Sequence, residues 1–169
     1  MKKIGLLSDT HGWLDDGIFR ALEGCDEIWH AGDFGPAAIA EELERRSGKP
    51  LRGVFGNIDG PDIRVRFPEQ LLFLCEDVKV FMQHIGGHPG KYAPGVKAFI
   101  QKEKSALFIS GHSHILKVQY DAALSCLHIN PGAAGQQGWH QVRTLVRFVI
   151  DGAAIRDCSV TELGRRGKL

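Results

Sequence analysis

The sequence predicts an α/β fold built around parallel strands, and three observations carry that expectation. The first sixty residues alternate between strand and helix patterns. Each strand pattern there stops in a cluster of Gly, Asp, Asn or His. The second half is richer in strand patterns than the first. Strands that alternate with helices need crossover connections, and crossovers make parallel neighbours. Sheets of this kind bind ligands beyond the carboxyl ends of their strands, which is where the polar clusters fall.

Each element rests on its own pattern. The apolar run Ile4 to Leu7 within residues 2–8 ends in Ser8-Asp9-Thr10-His11-Gly12, a buried strand that delivers polar side chains at its end. Residues 13–24 read as a helix, with Ile18, Phe19 and Leu22 on one face and Gly24 as the stop. Residues 27–31 read as a second strand, closed by Gly32-Asp33. Pro36 suits the first turn of a helix that runs to Ser47-Gly48. Residues 51–55 make a third strand, closed by Gly56-Asn57-Ile58-Asp59-Gly60. Strands over 70–74 and 78–83 flank a turn at Glu76-Asp77, and a short helix falls within 94–104. Residues 106–110 form a strand that ends in Gly111-His112-Ser113-His114; strands over 117–121 and 124–129 follow. The last pair, 144–150 and 153–161, flanks Asp151-Gly152, a two-residue hairpin signal. The tail, Arg165 to Lys168, is expected to fray.

Size and charge narrow the function classes. A chain of 169 residues and 18.6 kDa is the size of one domain, here residues 1–169, with no separate recognition domain. The formal charge of +1 argues against a broad electrostatic grip on DNA or on an anionic membrane. Basic and aromatic residues do not interleave, so an extended nucleic-acid groove is not expected. The four cysteines form no CxxC pair and read as reduced, mostly buried thiols. The N-terminal apolar run ends at Leu7, too short for a signal peptide, and no stretch approaches the roughly 20 apolar residues of a membrane span. A cytoplasmic location with no membrane partner is the expectation.

Asp9-x-His11, Gly32-Asp33, Gly56-Asn57, His84 and Gly111-His112-x-His114 recur at strand ends. Any one of them is an ordinary turn, because Gly, Asn and Asp tolerate turn geometry. Together they bring two carboxylates, one amide oxygen and four imidazoles toward one place. Without a cation, such a gathering suffers carboxylate repulsion and desolvated polar groups. Two divalent metals about 3.5–4 Å apart remove that objection.

The ordered set D-x-H, G-D, G-N, H and G-H-x-H resembles the calcineurin-like metallophosphoesterases, and most of all their YfcE-like phosphodiesterase branch. The resemblance runs from residue 4 to about residue 150. It implies a four-layer α/β/β/α sandwich, two mixed sheets flanked by helices. It implies that Asp9, His11 and His114 hold one metal, that Asn57, His84 and His112 hold the other, and that Asp33 bridges them. It further implies two divalent ions, Mn²⁺ first; the nitrogen and oxygen ligands also admit Zn²⁺, Fe, Ni²⁺ or Mg²⁺. The expected substrate is a small phosphodiester, and a homo-oligomer fits the family. Two divalent ions outweigh the two aspartates and one bridging hydroxide, leaving the centre at about +1, an attractive place for a phosphoryl oxygen. A water shared by two metals ionises near neutral pH, so a bridging hydroxide is the expected nucleophile.

Some positions depart from the family pattern. Many members read G-N-H-E, where the His assists the leaving group. Here Ile58 stands at that place and cannot donate a proton, so aryl or phosphorylated leaving groups are expected to react best. Asp59 reads either as a residue that orients a ligand histidine or as an acid. His88, in His84-Ile85-Gly86-Gly87-His88, reads either as a substrate contact or missing acid, or as an ordinary loop histidine. Asn130-Pro131-Gly132 resembles a family turn near the metals, with Ala133 in place of a Ser. Arg143 reads as a phosphate ligand or a surface residue, and Arg64 and Arg66 as a solvated strand face or a basic rim. His30 reads as packed or supporting, His128 as a strand residue and His140 as a loop residue. Trp13 reads as packed at a helix entry or as a pocket wall. Two rival functions remain: a phosphomonoesterase on the same site, and a non-catalytic scaffold like the family's retromer member.

Overall fold

The first strand already demands cover on both faces, because Ile4 and Leu6 point one way and Leu7 the other. The computed structural model describes residues 1–167. In chain order its elements are β1 (Lys2–Leu7), α1 (Asp16–Ala21), β2 (Glu27–His30), α2 (Ala38–Ser47), β3 (Leu51–Gly53), α3 (Pro61–Arg66), β4 (Gln70–Cys75) and β5 (Val78–Gln83). There follow β6 (Gly87–His88), β7 (Lys91–Tyr92), α4 (Val96–Glu103), β8 (Leu107–Ile109), β9 (Leu116–Asp121), β10 (Cys126–Pro131), β11 (Val142–Asp151) and β12 (Ala154–Arg165). One sheet runs β12-β11-β1-β2-β3 and the other β4-β5-β8-β10-β9. β1, β2 and β3 are parallel, β11 is antiparallel to β1, and β12 is antiparallel to β11. In the second sheet β5, β8 and β10 are parallel, between antiparallel β4 and β9. Both sheets are therefore mixed.

The side chains fix the layers. Ile4, Leu6, Trp29, Val146, Phe148 and Ile150 from the first sheet pack on Val78, Val80, Met82, Leu107, Ile109 and Ile129 from the second. The outer face of the first sheet meets Ile18, Leu22, Ile39, Leu43 and Ile63 from the α1, α2 and α3 regions. The outer face of the second, Phe81 and Phe108, meets Val96 and Ile100 of α4. The result is the helix, sheet, sheet, helix sandwich. Cys25, Cys75 and Cys126 are buried free thiols and Cys158 is an exposed one. No helix among the described residues is long and apolar enough to cross a membrane.

Several local expectations need correction. α1 is shorter than residues 13–24, because the Asp15 side chain accepts the Ile18 N–H at 3.0 Å and sets the helix start there. Residues 61–66 form a helix, not a strand face: Pro61 takes the first turn, and buried Ile63 docks it. Arg64 then covers the Phe55 ring and donates to Asp59 O at 2.7 Å while it borders the hollow of Asn57 and His84, and Arg66 pairs with Glu44 at 2.8 Å. The β6–β7 hairpin is too short to leave a periodic signal. The tail does not fray at Arg165, since β12 includes it. The Arg166 N–H also reaches Gln141 O at 2.9 Å, and the Gly167 N–H reaches Gln136 Oε1 at 2.6 Å. Lys168 lies outside the described residues.

His128 gives the fold an acid-sensitive point. It is buried in β10 with Nε2 2.9 Å from Ser110 Oγ, and burial pushes its pKa down to about 4, aided by nearby His88 and Lys117. An unfolded histidine titrates near 6.5, so below that pH the unfolded chain binds a proton that the folded chain refuses. Stability from this residue is complete above about pH 6.5 and is lost as pH falls toward 4, by roughly 1.4 kcal/mol per pH unit. Urea titrations of wild type and His128→Phe between pH 7 and 4 should therefore converge as the pH falls. Parallel curves would show that His128 is not the group responsible.

Candidate metal centre

The loops after β1, β2, β5 and β8 are sewn together by their backbones. Asp9 N donates to Gly32 O at 2.9 Å, His11 N to Asp33 O at 3.1 Å, and Gly111 N to His84 O at 3.0 Å. Asp9, His11, Asp33, His112 and His114 all adopt left-handed backbone, with φ of 54°, 47°, 58°, 68° and 58°. That conformation costs an L-residue about 1–2 kcal/mol, and such strain concentrates at functional sites. It turns each side chain inward at the point where the chain reverses. Gly111 and Gly56 allow the loops to close: a Cβ on Gly111 would strike Ser8 Oγ, and one on Gly56 would strike the Asp33 carboxylate.

Two groups of donors result. Asp9, His11 and His114 bring one ligand atom each within 4.8 Å of one another, and Asp33, His84 and His112 do the same. Asp9 Oδ1 lies 3.2 Å from His114 Nε2 and 3.8 Å from His11 Nε2. Asp33 Oδ2 lies 3.3 Å from His84 Nε2 and 3.5 Å from His11 Nε2, so it faces both groups. Asn57 is exposed and shares a hollow of about 200 Å³ with Gly56, Arg64 and His84. Asp59 and His88 belong to neither donor group.

The buried polar atoms show what the site is built to hold. Burial opposes the charge of Asp9, yet the nearby His11, His114 and His84 rings and the Ser8 hydroxyl hold its carboxyl well below the usual range. Burial likewise opposes the charge of Asp33, and His84 with the Ile58 N–H outweighs it. His84 is pushed up by Asp33 and Asp9 against its own burial, and His112 is pushed down by burial and by His84. Asp9 Oδ1 and His84 Nε2 are both buried without a hydrogen-bond partner. His84 Nδ1 donates to Ala31 O at 2.7 Å, which leaves the Nε2 lone pair facing Asp9 Oδ1 across 3.9 Å. A proton or a cation must sit between such acceptors. Four imidazoles and two carboxylates suit a divalent transition metal, so the residues fit the pair of ions.

Other side chains hold these ligands in place. Gly32 N donates to His30 Nδ1 at 3.1 Å, and His30 Nε2 reaches Thr10 Oγ1 at 3.0 Å, so His30 joins the first two ligand loops while buried against Phe34. Burial lowers its pKa to about 3, which keeps the ring neutral and fits the packed, supporting reading. Asn130 donates to Gly111 O at 2.8 Å and to Ser113 Oγ at 3.1 Å, and accepts from Gly132 N at 3.0 Å; it secures the His112–His114 loop. His140, read from sequence as an ordinary loop residue, does more. Its Nε2 lies 3.0 Å from Gly135 O and its Nδ1 3.3 Å from His114 Nδ1. With Nε2–H donated to that carbonyl, its Nδ1 accepts from His114, and the His114 Nε2 lone pair is left for the site.

Two sequence readings, those of Asp59 and Arg143, are corrected here. Asp59 orients no histidine: its two oxygens accept Gly35 N at 2.9 Å and Gly56 N at 2.7 Å, so it staples the backbone of two ligand loops, and burial pushes its pKa up. Arg143 is neither a phosphate ligand nor a surface residue, because it is buried in an ion pair with Asp15 at 2.7 Å. His88 ends the short strand β6 with Nδ1 2.8 Å from Pro89 O and 3.2 Å from Lys117 Nζ. Trp13 is exposed and donates to Asp15 Oδ2 at 3.3 Å, at the helix entry.

A family model for the calcineurin-like phosphoesterase superfamily domain matches residues 1–153. The chain belongs to this superfamily. Solved structures share the phosphoesterase fold. A conserved protein of Streptococcus pneumoniae described as a predicted phosphoesterase superposes with a TM-score of 0.69 at 22% identity, over 96% of this chain and 90% of its own. The phosphoesterase YfcE of E. coli gives 0.59 at 19%, over 93% and 98%. Vps29 of Entamoeba histolytica, complexed with zinc, gives 0.72 at 13%, over 96% and 99%. No curated protein matches the chain. Superfamily membership makes phosphate-ester hydrolysis and divalent-metal binding the chemistry of the fold, and the donor groups described above lie within the matched residues.

Proposed function

We propose that this chain is a phosphodiesterase that holds two divalent ions, Mn²⁺ first, and hydrolyses a small phosphodiester. The observation that carries the reading is the pair of three-residue donor groups, with Asp33 Oδ2 facing both. Asp9, His11 and His114 would hold one ion, His84, His112 and Asn57 the other, and Asp33 would bridge them. When bound, the ions would supply Lewis acidity toward a phosphoryl oxygen and make water more acidic. The chain's own part is preorganisation. His84 and His114 have their outer nitrogens engaged, so their inner lone pairs are already aimed. Asp9 spends Oδ2 on Ser8 and on the His112 N–H, which leaves Oδ1 as the ligand atom. Ile58 offers no proton to a departing alkoxide, so esters with good leaving groups should turn over fastest.

The test is release of p-nitrophenolate from bis-p-nitrophenyl phosphate by metal-stripped protein, before and after Mn²⁺ is added. Mn²⁺ should restore turnover that chelator removes, and p-nitrophenyl phosphate should be the poorer substrate. A faster monoester would make the chain a phosphomonoesterase. No turnover of either ester with two ions bound would leave the scaffold reading in place. Metal content alone does not separate these outcomes, since Vps29 with the same fold is solved with zinc.

A further inference from the structure

Beside the metal centre lies a second hollow, of about 570 Å³, and Gly111 and His112 border it. That volume is within the range of about 300–1,000 Å³ typical of small-molecule sites. The hollow is lined by Ile85, by Tyr92 and Pro94 at and after the β6–β7 hairpin, and by Ile115 and Lys117 at the start of β9, where Lys117 Nζ lies 3.2 Å from His88 Nδ1. His128 contributes a ring that its burial keeps neutral. The walls are apolar, yet the charged groups on the lining are all basic. Lys91 and Lys117 line the hollow and no carboxylate does. The polar contact of Lys117 is His88 Nδ1 at 3.2 Å, a ring nitrogen that also lies 2.8 Å from Pro89 O. The lysine charge is therefore not neutralised there. Tyr92 is anchored by its hydroxyl to Asp121 at 2.7 Å, so its ring is a fixed wall.

We propose that this hollow takes one arm of the phosphodiester, a nucleoside-like group with a flat heteroaromatic ring and a second phosphate, and that Lys117 holds that phosphate. The inference rests on the phosphodiesterase reading and names its substrate class. The ester phosphorus lies toward His112, the ring between Tyr92 and Ile115, and the distal anion at Lys117. An apolar slot ending in an unpaired cation accepts such an arm better than a neutral ring or a bare alkyl chain.

The test compares thymidine 5′-(p-nitrophenyl phosphate) with the same ester carrying a 3′-phosphate, in Mn²⁺-loaded protein. A charge-assisted hydrogen bond to the added phosphate should raise kcat/KM about tenfold, mainly through KM. In Lys117→Gln, and in Ile115→Glu at an exposed position, that preference should fall to within about twofold. A metal-independent arm uses thymidine 3′,5′-bisphosphate and metal-free protein. Its addition should shift the backbone amide signals of His88, Ile115 and Lys117, and the shifts should be lost in Lys117→Gln. Equal kcat/KM for the two esters in wild type, or a preference that survives Lys117→Gln, overturns the proposal. If neither ester nor bis-p-nitrophenyl phosphate is hydrolysed, the phosphodiesterase reading fails, and the amide shifts alone decide whether the hollow binds the anionic arm.

Discussion

Asp33→Asn should reduce bis-p-nitrophenyl phosphate turnover by about 10³-fold or more, which corresponds to a loss of about 4 kcal/mol in the barrier. The change looks conservative, but the hydrogen bonding forbids a neutral outcome. Asp33 Oδ1 accepts the Ile58 N–H at 3.0 Å, while Oδ2 faces His11 and His84. An asparagine that keeps its oxygen on Ile58 turns its NH₂ toward the ligand atoms, where a donor cannot coordinate. The flipped amide sets two donors against each other at Ile58. The metal-free folded state should weaken modestly, because the lost His84 attraction that holds the Asp33 carboxyl below the usual range outweighs the relief of Asp9 repulsion. A cooperatively folded metal-free protein with only a modest stability loss, together with lost turnover, would assign Asp33 to the site and not to the fold. Equal turnover in both proteins would remove the metal centre from the reaction.

The sequence shows the ligand side chains plainly because ligation needs particular residue types, and those types stand out at strand ends. Asp9, His11, Asp33, His84, His112 and His114 were legible for that reason, and the structure brings them together in two groups. The backbone that aims them was not. Asp and His are among the residues that visit positive φ, but nothing in D-x-H or G-H-x-H states that both residues of each pair do so. Supports were harder still. His30, Asn130 and His140 act through hydrogen bonds to loops distant in sequence. Asp59 was misread because a carboxylate stapling two N–H groups and one orienting an imidazole look alike in sequence. Most strands and three of the four helices among the described residues followed from sequence pattern. α3 was missed because one buried apolar residue, Ile63, gives a helix no visible face. Gly60-Pro61-Asp62, a helix-start signal, was the cue available.

Asp15→Ala should destabilise the protein by about 2–3 kcal/mol, less than a fully buried ion pair would cost because the Asp15 side chain is 28% exposed. Both terminal nitrogens of Arg143 lie 2.7 Å from Asp15 Oδ2, and the Arg143 side chain is only 5% exposed. Without Asp15 the guanidinium keeps two carbonyl acceptors, Leu163 O at 2.6 Å and Ala134 O at 3.4 Å, but has no counter-charge, and its Nε has no partner in the intact protein either. The same substitution removes the cap of α1, which alone is worth about 1 kcal/mol. Asp15→Asn keeps an acceptor at the cap and loses only the charge, so it should fall between wild type and Asp15→Ala. Arg143→Leu combined with Asp15→Ala should recover part of the loss, because the stranded charge is then gone. The pair also bears on the metal centre. Arg143 holds Ala134 O, while the Ala134 and Gly135 N–H groups donate to Ser8 O at 2.9 Å and Asp9 O at 3.1 Å. The segment that backs Asp9 is thus tied to the ion pair, and Asp15→Ala should weaken Mn²⁺ binding as well as folding. Urea unfolding of the three variants, read beside Mn²⁺ titration, separates the two effects. A loss below about 1 kcal/mol in Asp15→Ala would mean that Arg143 finds another partner and that the ion pair does not hold the loop behind Asp9.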